Sequence, residues 1–527
     1  MDSSSHSRLL QALQDPALYP HPVSGFRLLE THISSVLLTG EYAYKIKKPL
    51  DLGFLDFSTL ERRRRFCEDE LRLNRRLAPD LYLEAVPITG SPGAPALGGA
   101  GEPFEYAVKM RQFDQSALLD GLLARDELPP ERMDELAATV AGFHAGIATA
   151  DPGSDFGTPE VAYFPVGQNF DQIRPLLHAA EDLAQLDRLQ AWAEGEYAAR
   201  REAMAARKAD GFIRECHGDL HLGNMALIGD RVTPFDCIEF NDHLRWIDVV
   251  SEVAFLTMDL MDRGRPDYAA RFLNGYLERT GDYGGLALLR FYQAYRAMVR
   301  AKVSVIRLAQ PDVPADEQAS VRAKYRGYAD LAEALGRPGR PALIITHGVS
   351  GSGKTTLSQG LVEQLGAVRV RSDVERKRLF GLEAGARTKS ALGDGLYTAE
   401  ATLDTYRHLA RLAESILDTG YPALVDATFL KADQRRIFAD LAERLGVPFV
   451  ILDCAAGEAT LRRWVSERAA RGGDASEADL EVLEHQLGSR EPLDENERAR
   501  SVHADAERVH DGAELAEAVR ALLPGSA

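Results

Sequence analysis

"HGDLHLGNM", residues 217–225, sets Asp219 two residues after His217 and Asn224 five residues after Asp219. That spacing suits a phosphoryl-transfer loop, in which the Asp accepts a hydroxyl proton and the Asn holds a metal ion. Downstream, "MALIGDRVTPF" reads as a hairpin turning at Gly229 and Asp230, and it delivers Asp236 of "TPFDCIEF" as a second metal ligand. Upstream, "EYAYKIKK" is a period-2 strand in which Tyr42, Tyr44 and Ile46 alternate with Ala43, Lys45 and Lys47. The A-x-K relation points Lys45 into a cleft. In "STLERRRRFCEDELRLNRRL", Ser58 and Glu61 form an expected capping box, and Phe66, Leu73 and Leu77 form one helical stripe. Glu70 falls in that stripe and Glu68 on the opposite face. An inward carboxylate needs a partner, so Glu70 is expected to pair with Lys45 and hold it over the phosphates. Taken singly, Lys45 reads as a solvated strand lysine, and Asp219 and Asp236 as turn residues. The ordered set points to kinase chemistry. His217 reads as a brace for the loop, and His144 as a core histidine.

A second stretch, "GVSGSGKTT" at 348–356, holds a nucleotide in a different way. Gly348, Ser350, Gly351, Ser352 and Gly353 permit a tight loop whose backbone N–H groups converge on phosphates. Lys354 reaches the terminal phosphates, Thr355 holds Mg²⁺, and Thr356 is expected among the nucleotide-binding residues. The context fits: "PALIIT" is a buried-type strand before it, and "TTLSQGLVEQLG" a helix after it with Leu357, Leu361 and Leu365 on one face and Gly366 as its stop. The later strands "AVRVRSD", "PALVDAT" and "PFVILDC" alternate with helices, a doubly wound parallel α/β pattern. Ligands in such sheets sit at the carboxyl ends of strands, which singles out Asp373 and Asp426.

The chain has 527 residues, more than one core usually organises, with 45% hydrophobic and 27% charged residues. Its net charge of −18 argues against a general nucleic-acid or anionic-membrane binder. The four cysteines show no metal-type spacing, and no leader or spanning segment is legible, so a cytoplasmic protein is expected. "GRPGRP" at 336–341 is the strongest punctuation. It predicts a domain over 1–336, with lobes at about 25–114 and 115–336, and another over 341–527, each folding by itself. "GSPGAPALGGAGEP" at 90–103 reads as a long hairpin connection.

"HGDLHLGNM" followed by "FDCIEFND" resembles the aminoglycoside phosphotransferase-like enzymes of choline- and aminoglycoside-kinase type, over roughly residues 25–335. The resemblance implies a two-lobed protein-kinase-like fold, ATP and Mg²⁺, a small-molecule hydroxyl acceptor, and Asp248 as a buttress of the catalytic loop. No G-x-G-x-x-G precedes Lys45, so the strand pair around "ISSVLLTGEY" would cover the phosphates. The C-terminal part, about 341–525, resembles small P-loop kinases, the group including gluconate kinases, zeta toxins and polynucleotide 5′-kinases. That likeness implies Asp373 as base or orienter of the acceptor, Asp426 near Mg²⁺, and an arginine lid carrying Arg468 and Arg471 in "LRRWVSERAARGGDAS". The whole chain resembles bacterial fusions of an aminoglycoside phosphotransferase-like domain with a P-loop ATP-binding domain. Two other readings compete: a P-loop half that acts as a nucleotide-operated switch, and one that phosphorylates polynucleotide 5′ ends. Asp373 and the arginine helix disfavour the first, the acidic balance the second.

Overall fold

The computed structural model of the chain describes residues 2–53, 55–309, 314–382, 398–471, 476, 478–508 and 511–523. They form two compact units: Met1–Glu135 with Gly142–Asp259 and Phe291–Ala329, and Leu136–Ala141 with Leu260–Arg290 and Asp330–Ala527.

The first unit begins with helix α1 (Ser3–Ala12), strands β1 (Arg27–Glu30), β2 (Ser34–Leu38) and β3 (Tyr42–Lys47), and helix α2 (Leu60–Asn74). Strands β4 (Tyr82–Ser91), β5 (Ala94–Leu97) and β6 (Pro103–Arg111) complete an antiparallel sheet of order β1-β2-β3-β6-β4-β5. Alternation along β3 does what its period predicts. Tyr44 and Ile46 join Leu9 and Leu10 of α1 and Leu13 just past its end, while Ala43 joins Cys67 and Leu71 of α2. Two local expectations are corrected. The α2 N-cap is Thr59, whose side chain accepts from the Arg62 N–H, and Ser58 bonds Asp56 instead. The segment 90–103 also contains β5, paired to Ile88–Ser91 of β4 across a two-residue turn at Pro92–Gly93.

The chain continues through helices α3 (Leu119–Ala124), α4 (Glu131–Gly146), α5 (Pro159–Ile173) and α6 (Ala180–Ala209), then strands β7 (Ile213–Glu215), β8 (Met225–Ile228) and β9 (Arg231–Pro234). Next come helix α7 (Asp242–Arg245), strand β10 (Trp246–Asp248) and helices α8 (Val249–Asp262), α9 (Pro266–Thr280), α10 (Leu286–Leu308) and α11 (Ala315–Leu335). Strands β8 and β9 form the expected hairpin, pairing Met225 with Pro234, and Gly229 turns it at φ 63°.

The second unit holds strand β11 (Leu343–His347), helix α12 (Lys354–Leu365), strand β12 (Val368–Arg371), helices α13 (Ser372–Leu379) and α14 (Ala399–Asp418) and strand β13 (Ala423–Asp426). Helix α15 (Ala432–Leu445), strand β14 (Phe449–Ala455), helices α16 (Glu458–Arg471), α17 (Leu480–Ser489) and α18 (Glu495–Ala499), strand β15 (Ser501–Asp505) and helix α19 (Gly512–Ala521) follow. Its sheet is wholly parallel, in the order β12-β13-β11-β14-β15. Ile344, Leu424, Val450 and Leu452 bury against Leu357 and Leu361 of α12 and Leu515 and Val519 of α19.

The units do not coincide with a division at 336–341. Helix α9 packs on β12 and α12, burying Tyr268, Phe272, Leu273, Tyr276 and Leu277. Strand β12 is a sheet edge and needs cover. Asn274 of α9 supplies it: its side-chain amide donates to the Ala367 carbonyl at 3.0 Å and accepts from the Arg369 N–H at 2.6 Å. The "GRPGRP" stretch is itself packed, since a Cβ on Gly339 would overlap the Gly420 carbonyl, and Arg290 donates to that carbonyl at 3.1 Å.

Candidate functional site

In the first unit the sequence-picked residues converge. Lys45 Nζ lies 2.8 Å from Glu70 Oε1 and is also paired with Asp236 Oδ1. Glu70 is fully buried, and Glu68 is exposed and paired with Arg64, so the helical stripe had the right register. Lys47, two residues along the same strand face, was not anticipated as part of this cluster. Its Nζ sits 2.7 Å from Glu70 Oε2 and pairs with Glu239. Burial alone would discharge Lys45, but Asp236 and Glu70 hold its pKa well above the ordinary value. Burial likewise opposes the Glu70 charge, and the two lysines outweigh it, holding the carboxyl below its ordinary value. The period-2 pattern already put Lys47 beside Lys45, and that was the available signal.

The loop is held by its own residues. Asn224 donates to Asp219 Oδ2 at 2.8 Å, and His221 Nε2 lies 3.5 Å from the same oxygen. His217 Nε2 donates to the Phe235 carbonyl at 2.9 Å, which leaves Nδ1 to accept the Asp219 N–H at 3.3 Å. His217 is thus the expected brace. Burial raises the Asp219 carboxyl, but His221, His217 and Arg300 overcome this and hold it far below the carboxylate range. Asp236 takes a left-handed φ of 65°, rare for a non-glycine, and its N–H donates to the Tyr82 hydroxyl at 3.0 Å.

The expected buttress is corrected. Asp248 bonds Arg207 at 2.6 and 2.8 Å and leaves the loop alone. Glu252, four residues on, accepts the Gly218 N–H at 2.6 Å and takes a bond from His144 Nε2 at 2.9 Å. Burial raises Glu252, yet His144, His217 and the Gly218 N–H bring it to about 2. Gly218 itself cannot carry a side chain, having φ 87° and a Cβ position 2.8 Å from the Leu244 carbonyl.

In the second unit, Gly348 (φ 143°), Gly351 (82°) and Gly353 (74°) shape the loop between β11 and α12. It borders a cavity of about 790 Å³ lined by Ser350, Lys354, Thr355, Thr356, Asp373 and Asp426. Gly348 and Ser352 pack beneath this wall: a Cβ on Gly348 would overlap the Cys454 carbonyl and approach the buried Ser352 hydroxyl at 2.5 Å. Thr355 Oγ1 donates to Asp426 Oδ2 at 2.6 Å, and Lys354 Nζ donates to the Val349 carbonyl at 2.8 Å. Burial pushes the Lys354 ammonium down, against the opposing pull of Asp426. Asp373 does not end the strand: β12 stops at Arg371, and Asp373 is the second residue of α13, still on the cavity wall. Arg468 of α16 also lines the cavity and donates to the Ala478 carbonyl at 2.9 Å. The Arg471 side chain and Gly472–Gly473 lie outside the described residues. Two contributors went unpredicted. Gln486 of α17 accepts the Ser350 N–H at 2.7 Å, and Arg371 lies 3.9 Å from Asp426. Neither carries a motif.

Among the described residues no helix is long and apolar enough to cross a membrane. Residues 56–289 match the family described as "Phosphotransferase enzyme family", and residues 343–493 match an "AAA domain" family. The uncharacterized protein Rv2004c of Mycobacterium tuberculosis is 31% identical over 475 residues, covering 88% of this chain and 90% of its own length. The uncharacterized protein Mb2027c of Mycobacterium bovis gives the same values. Among solved structures, a choline/ethanolamine kinase family protein from Mesorhizobium loti is 14% identical, covering 63% of this chain and 94% of its own, with a TM-score of 0.36. A gluconokinase from Sinorhizobium meliloti is 22% identical over 36% of this chain and 93% of its own, with a TM-score of 0.23. The chain belongs to the family of these mycobacterial proteins: an ATP-dependent kinase in which an aminoglycoside phosphotransferase-like domain is fused to a P-loop kinase domain.

Proposed function

We propose that the chain carries two Mg·ATP sites, one per unit, each transferring a phosphoryl group to the hydroxyl of a small molecule. The observation that carries this reading is that each unit assembles a full set of its own. Lys45, Glu70, Asp219, Asn224 and Asp236 gather in the first, and Lys354, Thr355, Asp373 and Asp426 in the second. The oxygen donors suit a hard cation: Asn224 and Asp236 would hold Mg²⁺ in one site, Thr355 and Asp426 in the other. Bound there, the ion neutralises charge on the phosphates.

The residues divide the remaining work. Lys45, fixed by Glu70, offers a permanent cation to the triphosphate of the first site. Asp219 is ionised at neutral pH, and both of its side-chain contacts fall on Oδ2, leaving Oδ1 to take the acceptor proton. A base this weak suits a loose transition state, where the hydroxyl proton leaves late. In the second site Lys354 and the loop N–H groups bind phosphates, Arg468 closes on them from α16, and Asp373 orients the acceptor.

The test is a screen of small-molecule extracts with labelled ATP, run on the full chain and on single-site variants. Asp219→Asn should lower formation of one product by ~10²–10⁴-fold, as for a positioned base, and leave nucleotide binding intact. Lys354→Ala should remove a different product. Products that persist unchanged in both variants would overturn the assignment.

A further inference from the structure

Strand β12 presents two arginines on one face. Arg369 is buried and donates to the Thr355 carbonyl at 3.0 Å. Arg371 lies in register with Asp426 on the neighbouring strand, and its Nε is 3.9 Å from Asp426 Oδ2. That oxygen is the one that accepts the Thr355 hydroxyl. A guanidinium so close to a carboxylate is drawn to it, and full contact would cancel the charge a metal ion needs. At 3.9 Å the two stand at the outer limit of an ion pair, short of full contact. Arg371 Nη1 makes its 2.8 Å ion pair with Glu278 Oε1 of α9, a helix inside the region that matches the phosphotransferase family. The helix and the turn after it are fixed in place at several points: Asn274 to the β12 backbone and Arg378 to the Glu278 carbonyl at 2.6 Å on the helix, and Tyr283 to the Arg369 carbonyl at 3.4 Å in the turn.

We infer that Glu278 is a positioning residue of the P-loop site, holding Arg371 off Asp426 so that the carboxylate stays available to the metal. The P-loop kinase unit would then borrow part of its active site from sequence some 70 residues upstream of its own loop, counted from Glu278 to Gly348. The inference rests on the reading of Thr355 and Asp426 as the metal-holding pair.

The experiment measures ATP binding by equilibrium dialysis across a Mg²⁺ series on the full chain, with the Lys354→Ala chain as the blank for the first site. Glu278→Gln should raise the Mg²⁺ concentration at half-saturation by roughly tenfold, the size of effect an adjacent opposite charge has on a carboxylate. Removing the competing cation should cure this: Glu278→Gln with Arg371→Gln should return to the Mg²⁺ requirement of Arg371→Gln alone. A helix with a merely structural role would show no such rescue. An unchanged requirement in Glu278→Gln, or an increase that persists in the double variant, overturns the inference. Thr355→Ala separates it from the underlying reading, because a normal Mg²⁺ requirement there would defeat the metal assignment itself.

Discussion

At the residue scale, the first site turns on which carboxylates are buried. Glu70 reaches two lysines from inside the fold, and Glu68 reaches only Arg64 in solvent. Glu70→Gln should therefore disorder Lys45 and cut first-site turnover at least tenfold, since it leaves two buried ammonium groups short of charge. Glu68→Gln should be nearly silent. Steady-state kinetics on the two variants checks this, and equal effects would contradict it. Glu252 gives a pH prediction. Its carboxyl falls from an ordinary 4.5 to about 2 in the folded chain, so the stability it contributes is full above pH 4.5 and lost as pH falls toward 2. The shift is worth about 3 kcal/mol on the scale of 1.4 kcal/mol per pH unit. Denaturant melts of wild type and Glu252→Gln should differ most near neutrality and converge toward pH 2. A gap that widens on acidification would reverse the sign. The sequence made Lys45, Glu70, Asp219, Asn224 and Asp236 legible because each lies on a short-range pattern. It left Asp248 and Glu252 open to confusion, as two acids four residues apart, one ending strand β10 and the other in the first turn of α8. Only the fold decides which of them meets Gly218.

Elements show where local patterning stops. The strand–loop–helix around Gly348 is readable because glycine spacing, a buried strand and an amphipathic helix agree within thirty residues. Strand β5 was hidden in a segment rich in glycine and proline, where cross-strand pairing overrides propensity. The attachment of α9 to the parallel sheet was invisible for a deeper reason. An edge strand formed from residue 368 onward creates the need, and Asn274, almost a hundred residues earlier, meets it. Asn274→Ala would strip partners from a buried N–H and a buried carbonyl, at a cost of about 1–3 kcal/mol for each group left unsatisfied. The expected outcome is a lower melting temperature together with weaker nucleotide binding at the P-loop site. Intact ATP binding and an unchanged melt would mean that α9 does not secure the edge.

For the whole molecule, two phosphate-handling sets in one chain admit two accounts: two active sites, or one shared site. Neither set lacks a part that the other supplies, which favours two. The interleaving of segments changes what a cut would do. Cleavage at Gly339 should not release a competent P-loop fragment, because 341–527 leaves behind the segment 260–290 that belongs to the same compact unit. The claim is therefore tested on the intact chain. Calorimetric titration with ATP and Mg²⁺ should find two nucleotides per chain in the wild type, falling to one with Lys354→Ala and to one with Asp236→Asn. One nucleotide per wild-type chain, abolished by either substitution, would contradict two separate sites and establish a single composite one.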